Sequence, residues 1–399
     1  MTPGDEVARL DALCRRVLDA SWREGEQAGR RYGFTAPSPG RYPWQWYWDS
    51  CFIAIVRSRW DRERARRELE SLLAASEGGF VGHVIFWGRP LNLERLVRYN
   101  VARRRDLMTR TIQPPLLAWA WSLAVGDPRE EPRIAEHHAW LSAHRDLDGD
   151  GLLWLVQPDE SGLDASPKFD HVWGPYAQGR RRFPLLIHAN RRRGWDARRL
   201  DADRRPLLCE VLTNVMWSLA EQSLGRPSTT PALVDRLWDE RTGRFVDEAR
   251  HARRPLAPER VPFTWDTLAP LALPDLPEAI GRRLVEETLL SDRFWPGVPL
   301  PSVALDDPAH TSRDRYWGLR RYWRGPSWVN AAWLAWRGLR RLGYDAEAAD
   351  MARRVTGAVL REGLREYYDA RTGAGMGAHD FGWTALALEM AAPRPAGTG

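Results

Sequence analysis

Apolar residues recur along this chain at helical spacing. Val7, Leu10, Leu13, Cys14, Val17 and Leu18 share one face of a helix that ends near Trp22. The same periodicity predicts helices over 50–59, 63–75, 112–125, 132–144, 207–223, 277–290, 327–341 and 345–362. Strand-like alternation is scarce. Long segments rich in Gly, Pro and Trp separate the helices, notably 76–92, 146–185 and 292–326. On a helical scaffold such loops usually carry function.

The chain echoes itself. Trp238-Asp239-Glu240-Arg241-Thr242-Gly243 matches Tyr368-Asp369-Ala370-Arg371-Thr372-Gly373. Asp-x-x-Thr-Gly is a turn signal, in which Asp accepts local backbone hydrogen bonds and Gly tolerates positive φ. Both copies follow a short apolar-periodic segment, which predicts a repeated helical hairpin with its connecting turn. Aligning them sets Arg236 against Glu366, a carboxylate that the turn itself does not require. Repeated hairpins predict a closed ring. The expectation is an all-α fold, an (α/α) toroid. It forms a single catalytic domain over 1–399, with the 146–200 and 292–326 loops capping a pocket. A helical solenoid would show more uniform repeats and fewer aromatic loops.

Composition narrows the function. Lys168 is the only lysine among 59 basic residues, a bias that genome composition explains better than function. The net charge of +6 is scattered among acidic residues, and runs such as Arg103-Arg104-Arg105 and Arg191-Arg192-Arg193 are short. No clustered basic face for nucleic acid is expected, while a modest positive field suits a small anionic substrate. Cys14, Cys51 and Cys209 are odd in number and lack metal or redox spacing, so buried free thiols are expected. No signal peptide or membrane span is apparent. A cytoplasmic enzyme is the default, with self-association as a homo-oligomer compatible.

The chemistry-bearing segments are aromatic and acidic, in a chain with 22 tryptophans. In Tyr42-Pro43-Trp44-Gln45-Trp46-Tyr47-Trp48-Asp49, the aromatics beside Gln and Asp are too polar for core alone. Asp49 can hold sugar hydroxyls, and Trp46 or Trp48 can stack on a sugar ring. Glu160-Ser161-Gly162-Leu163-Asp164 lies in a long loop and offers a general acid in a partly apolar site. Arg321-Tyr322-Trp323-Arg324-Gly325-Pro326-Ser327-Trp328 leads into a helix. Trp323 and Trp328 are expected to line the pocket, with Tyr322 or Arg324 as donors. Glu366-Tyr367-Tyr368-Asp369 answers the first acid 202 positions later (366 − 164). Two carboxylates in an aromatic pocket are what glycosidic cleavage needs. Asp146-Leu147-Asp148-Gly149-Asp150-Gly151 begins like a calcium loop, but its twelfth position is Gln157 rather than Glu, so an Asx-rich turn is expected. His83, His171, His188, His310 and His379 show no metal-ligand spacing. His137-His138 is expected to be partly exposed on a helix.

At these motifs, over nearly its whole length, the chain resembles glycoside hydrolase family 63, in particular its bacterial mannosylglycerate and glucosylglycerate hydrolases. The resemblance rests on Tyr-Pro-Trp-Gln-Trp-x-Trp-Asp-Ser, Glu-Ser-Gly-x-Asp, Arg-Tyr-Trp-Arg-Gly-Pro-x-Trp and Glu-Tyr-Tyr, in that order. It implies an (α/α)6 toroid and an inverting mechanism on α-glycosides. It implies Asp164 as general acid and Glu366 as general base. Trp46, Trp48, Asp49 and Trp328 would surround the sugar; Tyr42, Gln113, Tyr322 and Trp323 would lie towards the glycerate. Asp159 departs from the family pattern, which often has an aromatic residue just before Glu-Ser-Gly. Arginines of the 171–200 stretch, or Arg324, are expected to pair with the glycerate carboxylate.

The expected reaction is hydrolysis of 2-O-α-mannosyl-D-glycerate, or its glucosyl counterpart, to hexose and D-glycerate. No redox cofactor or catalytic metal is implied. A trehalase-like or oligosaccharide-directed α-glucosidase is the alternative enzyme, and a non-catalytic sugar-binding toroid the alternative of another class.

Overall fold

Helices that are apolar on nearly every side must be buried all round, and several here are. In Tyr47–Arg57 every residue is buried, as in the 3-10 helix Trp265–Ala272; in Val211–Ser223 burial runs from Val211 through Glu221. A computed structural model describes residues 2–88, 98–313, 315–316, 319–320 and 322–393; Arg321 and residues 89–92 of the predicted 76–92 loop lie outside the described residues. Within it, Tyr47–Arg57, Leu117–Ala124, Val211–Ser223, Trp265–Ala272, Val329–Arg341 and the Gly382–Leu386 turn, continued by Ala387–Ala391, pack each against the next. The last packs against the first and closes the ring.

Amphipathic helices alternate with these in sequence and form the outer layer: Pro3–Ala20, Arg62–Ala74, Pro132–Arg145, Thr230–Leu237, Glu278–Arg283 with its π-helical continuation Leu284–Leu289, and Asp345–Glu362. Arg62–Ala74 shows why. Its Ala65, Leu69, Leu72 and Leu73 fall on one face and are buried, while Asp61 caps it by accepting from the Arg64 N–H. The result is the expected all-α toroid, an (α/α)6 ring of inner and outer helices. One core cluster runs from Leu10 to Met390, and a small one joins Trp44, Val84, Phe86 and Val101.

Three expectations shift. The 112–125 helix begins only at Leu117, because Pro114 and Pro115 cannot continue a helix upstream. Leu207–Cys209 is not helix but a buried strand between Trp154–Leu155 and Glu248–Arg250; a short apolar run has no period that separates the two. His137 and His138 are buried, not exposed. The Tyr47 hydroxyl meets His137 at 3.0 Å, and His138 lies 2.6 Å from Glu221 and stacks on Trp217.

The sequence echo is structural. Both copies turn a short antiparallel hairpin after an outer helix. Asp239 and Asp369 each accept from their threonine hydroxyl, Thr242 at 2.7 Å and Thr372 at 2.9 Å. Arg236, aligned with Glu366, makes ion pairs with Asp148, Asp150 and Glu248. Asp148 also pairs with Arg250. Arginines therefore neutralise two acids of the calcium-like turn, and Asp146 accepts from the Gly149 and Gly151 N–H groups.

Candidate active site

The segments that lead into inner helices gather at one cavity of about 300 Å³, closed on another side by the 158–183 loop. Tyr42, Trp46, Trp48, Asp49, Gln113, Asp164, Tyr322 and Trp323 line it, so eight of the ten residues expected from sequence meet there. Trp328 does not stand on its wall. It stacks parallel behind Trp323 with ring centroids 3.8 Å apart, and Trp265 also stacks on Trp323, at 6.0 Å. Trp328 therefore fixes the plane of Trp323.

The 45–50 lead-in is held rigidly. Gln45 donates to Ser50 Oγ and the Glu68 carbonyl and accepts from Trp87 Nε1 at 2.8 Å. Gln113 Oε1 accepts from the Trp48 N–H at 3.1 Å, satisfying one of the unpaired donors of a helix N-terminus. Asp49, in the first turn, is 3 % exposed. Burial, then the Glu366 charge, push its carboxyl well above the usual range.

Glu366 is fully buried and reaches the cavity through two tyrosines. Tyr42 OH donates to its Oε1 at 2.9 Å, and Tyr322 OH donates to the same oxygen. Its Oε2 accepts from the Ala378 N–H at 2.8 Å. Gly377 makes this possible: at φ +71°, a Cβ there would stand 2.5 Å from Glu366 Oε2. The two hydroxyls aim the carboxylate.

On the opposite loop, two neighbouring acids part ways. Glu160 is fully buried; Arg145 donates to both its oxygens, at 2.6 and 2.8 Å, and the Ile112 and Val156 N–H groups complete it. It pins the loop. Asp164 is half-buried and turned into the cavity, with Gln178 Nε2 donating to Oδ1 at 2.5 Å. Next to it Ala165 is left-handed at φ +62°, held by its N–H on Gln178 Oε1 and its carbonyl on Arg324 Nε. Such a conformation persists only where the surroundings over-determine it.

Gly162 brings this loop against the aromatic floor. It is left-handed at φ +73°, and a Cβ would sit 2.6 Å from the Trp48 ring. Gly162→Ala is expected to displace that indole and cost about 1–3 kcal/mol by overpacking. Thermal melting should show the loss, and substrate affinity should fall with it; an unchanged melt and KM would show that the ring is not clamped here.

Lys168, the sole lysine, anchors the same loop. It is 1 % exposed, and its ammonium meets Glu210 and Asp266 at 2.5 Å and Asp247 at 3.0 Å. Burial pulls its pKa down, but the three carboxylates outweigh this and hold it above the ordinary lysine value. Among the described residues, these three acids are the one group with atoms close enough to ligate a metal, and the ammonium stands among them.

Several lining residues were not foreseen. Asp159, Gln178, Tyr176, Arg98, His83, Phe381 and Trp383 all face the cavity. In the sequence Asp159 stands out only as a departure from the family pattern. His83 is buried and pulled down to about 3 by desolvation, with Nδ1 2.5 Å from Thr111 Oγ1. The arginines of 171–200 do not line the cavity; among the described residues its arginines are Arg98 and Arg324. Arg324 Nη2 pairs with both oxygens of Asp170 at 2.8 Å.

The family model for the mannosylglycerate hydrolase MGH1-like glycoside hydrolase domain matches residues 42–384. The chain is 29 % identical to the mannosylglycerate hydrolase of Rubrobacter radiotolerans, over 96 % of this chain and 97 % of that one. It is 28 % identical to the glucosylglycerate hydrolase of Mycolicibacterium hassiacum, over 89 % and 93 %. The crystal structure of the family 63 mannosylglycerate hydrolase from Thermus thermophilus, in complex with Tris and D-glycerate, superposes with a TM-score of 0.79 at 27 % identity, covering 96 % of this chain and 100 % of that one. With a family model spanning all the cavity segments from Tyr42 to Trp383, the chain belongs to the MGH1-like glycoside hydrolases of family 63.

Proposed function

We propose that the chain is an inverting α-glycosidase that hydrolyses 2-O-α-mannosyl-D-glycerate, or its glucosyl counterpart, to hexose and D-glycerate. The observations that support this reading are that Asp164 lines the aromatic cavity and that Glu366 is hydrogen-bonded to two of its lining tyrosines, in a member of this family. Asp164, facing the cavity from the 158–183 loop, protonates the leaving oxygen. Glu366 takes a proton from water, whose oxygen attacks the anomeric carbon from the other ring face; inversion follows because water enters opposite the leaving group. Trp46 and Trp48 offer apolar faces to the sugar, and Asp49 holds its hydroxyls. Tyr42, Gln113, Tyr322 and Trp323 lie towards the glycerate, whose carboxylate is paired by Arg324 or Arg98. Three free, buried cysteines fit a reducing compartment, so we place the reaction in the cytoplasm.

The test is a hydrolysis screen over mannosylglycerate, glucosylglycerate, trehalose and kojibiose, with proton NMR of the first sugar formed. A glycosylglycerate should be preferred and should yield the β-anomer first. The α-anomer would sink inversion. The methyl ester of mannosylglycerate should have a much lower kcat/KM than the acid, since a charge-assisted pair is about twice as strong as a neutral hydrogen bond. Equal rates on acid and ester would move the substrate to a neutral disaccharide.

A further inference from the structure

One side chain grips two successive residues of the acid loop. Gln178 Nε2 donates to Asp164 Oδ1 at 2.5 Å, and Gln178 Oε1 accepts from the Ala165 N–H at 2.6 Å. The second bond settles which way the amide points. A backbone N–H can only donate, so the amide oxygen faces Ala165 and the nitrogen faces the carboxyl. Gln178 lines the same cavity as Asp164.

The amide is itself held from behind. Gln178 sits on a turn in which the Ala177 N–H donates to the Gly174 carbonyl at 3.1 Å and the Gly179 N–H to the Tyr176 carbonyl at 2.8 Å. Tyr176 is left-handed at φ +55°, a costly conformation for a residue with a Cβ. Its N–H is fixed on Asp170 Oδ1 at 3.2 Å. Asp170 takes Arg324 Nη2 on both oxygens, and the Arg324 guanidinium carbon lies 5.2 Å from the centre of the Tyr176 ring. Arg324 Nε donates to the Ala165 carbonyl at 2.7 Å. The contacts therefore close on themselves, from Ala165 through Arg324, Asp170, Tyr176 and Gln178 back to Ala165. This circuit holds two left-handed residues, Ala165 and Tyr176, and it meets the Asp164 carboxyl at the Gln178 amide.

We propose that Gln178 is the positioning residue of the acid, holding Asp164 Oδ1 as an acceptor so that Oδ2 carries the proton for the leaving oxygen. The proposal rests on the reading of Asp164 as that acid, and Gln178 acts through it. An oxygen that accepts from an amide keeps its carbonyl character, which leaves the hydroxyl to its partner oxygen. The proton passes from Oδ2 to the glycosidic oxygen as the bond to the anomeric carbon breaks and its electron pair stays on that oxygen. A water oxygen bonds to the anomeric carbon, and the proton it gives up goes to Glu366. Alignment decides such a transfer, and a misplacement of about 1 Å can cost about 10²-fold.

The experiment measures kcat and KM for the wild type, Gln178→Met and Gln178→Glu, with circular dichroism to confirm folding. The substrates are mannosylglycerate or glucosylglycerate, whichever turns over faster, and the matching α-glycosyl fluoride, whose leaving group needs little protonation. Methionine keeps the length and loses both bonds. Glutamate keeps the shape and can accept from the Ala165 N–H, but as a carboxylate it has no donor for Asp164. On the glycosylglycerate both variants should lose about 10- to 10²-fold in kcat with KM little changed. On the fluoride both should keep nearly all of their activity. In an Asp164→Asn background Gln178→Met should cost almost nothing more, because residues that act through one group are not additive. Full activity of Gln178→Glu would show that the donor is not needed. A raised KM with kcat intact would make Gln178 a binding residue, and equal losses on both substrates would make its turn merely structural. Additive losses in the double variant would place its action elsewhere. Each of these overturns the proposal. Asp164→Asn alone keeps the two readings apart. If it spares the fluoride while the Gln178 variants fail, only the role of Gln178 falls. If it is equally crippled on both substrates, the assignment of Asp164 falls and this role with it.

Discussion

Asp164→Asn and Glu366→Gln are each expected to lower kcat on mannosylglycerate by about 10²- to 10⁴-fold, the usual worth of general acid or base assistance. The fold should survive both changes. Asp164 is half-buried, and its partner Gln178 can still hydrogen-bond an amide oxygen. Glu366 is fully buried, but Oε1 can still accept from Tyr42 and Tyr322 after conversion to an amide. The orientation of the amide is then constrained, because Oε2 faces the Ala378 N–H and a nitrogen there would meet a donor. Glu366→Gln should therefore also lose some stability, whereas Asp164→Asn should not. Near wild-type turnover in either variant would refute its assigned role. The two should differ in kind: a better leaving group compensates for a missing acid and does nothing for a missing base.

The second large effect is on stability. Lys168→Met is expected to destabilise the protein by about 3–5 kcal/mol, since removing one partner of a buried ion pair strands the other charge. Here it strands three, Glu210, Asp247 and Asp266. Lys168→Arg should not rescue it. Three carboxylates converge on one compact ammonium, and a planar guanidinium has neither that shape nor the space at 1 % exposure. The loss should depend on pH. Burial already lifts Asp247 to about 7 against the counter-pull of Lys168, with Glu210 and Asp266 adding to the rise. A carboxyl whose folded pKa exceeds its unfolded value near 3.8 binds its proton more tightly when folded. Its contribution is therefore present below 3.8 and lost as pH rises through about 7. Without the ammonium Asp247 loses the charge that lowers it and shifts further the same way, so Lys168→Met should be hurt less at pH 5 than at pH 8. Denaturant unfolding at the two values checks this; a pH-independent loss below about 1 kcal/mol would show that the cluster is not a linchpin.

Much of this molecule was legible in its sequence because much of it is local. The period of Ala65, Leu69, Leu72 and Leu73 is set within one helix, and so the outer layer could be read. The Asp239 and Asp369 turns close over a few residues, which revealed the repeat and left Glu366 as a carboxylate without a turn to explain it. The aromatic-acidic motifs hold seven residues that share the cavity, and the family resemblance adds Gln113.

What the sequence could not determine depends on partners far along the chain, which only closure of the ring brings into contact. Glu160 and Asp164 are alike by composition. Arg145, on an outer helix, claims one, and the left-handed turn at Ala165 helps turn the other to the cavity. Trp323 and Trp328 are alike by motif, and stacking decides which is wall and which is backing. His137 and His138 read as surface until Tyr47 and Glu221 arrive from other helices. Lys168 read as an accident of composition until three segments supplied its carboxylates. Periodicity and turn chemistry are properties of neighbours in sequence. Burial, charge pairing and the direction a side chain faces are properties of neighbours in space, and for Glu160, His137, His138 and Lys168 those neighbours lie 15 to 98 positions away along the chain.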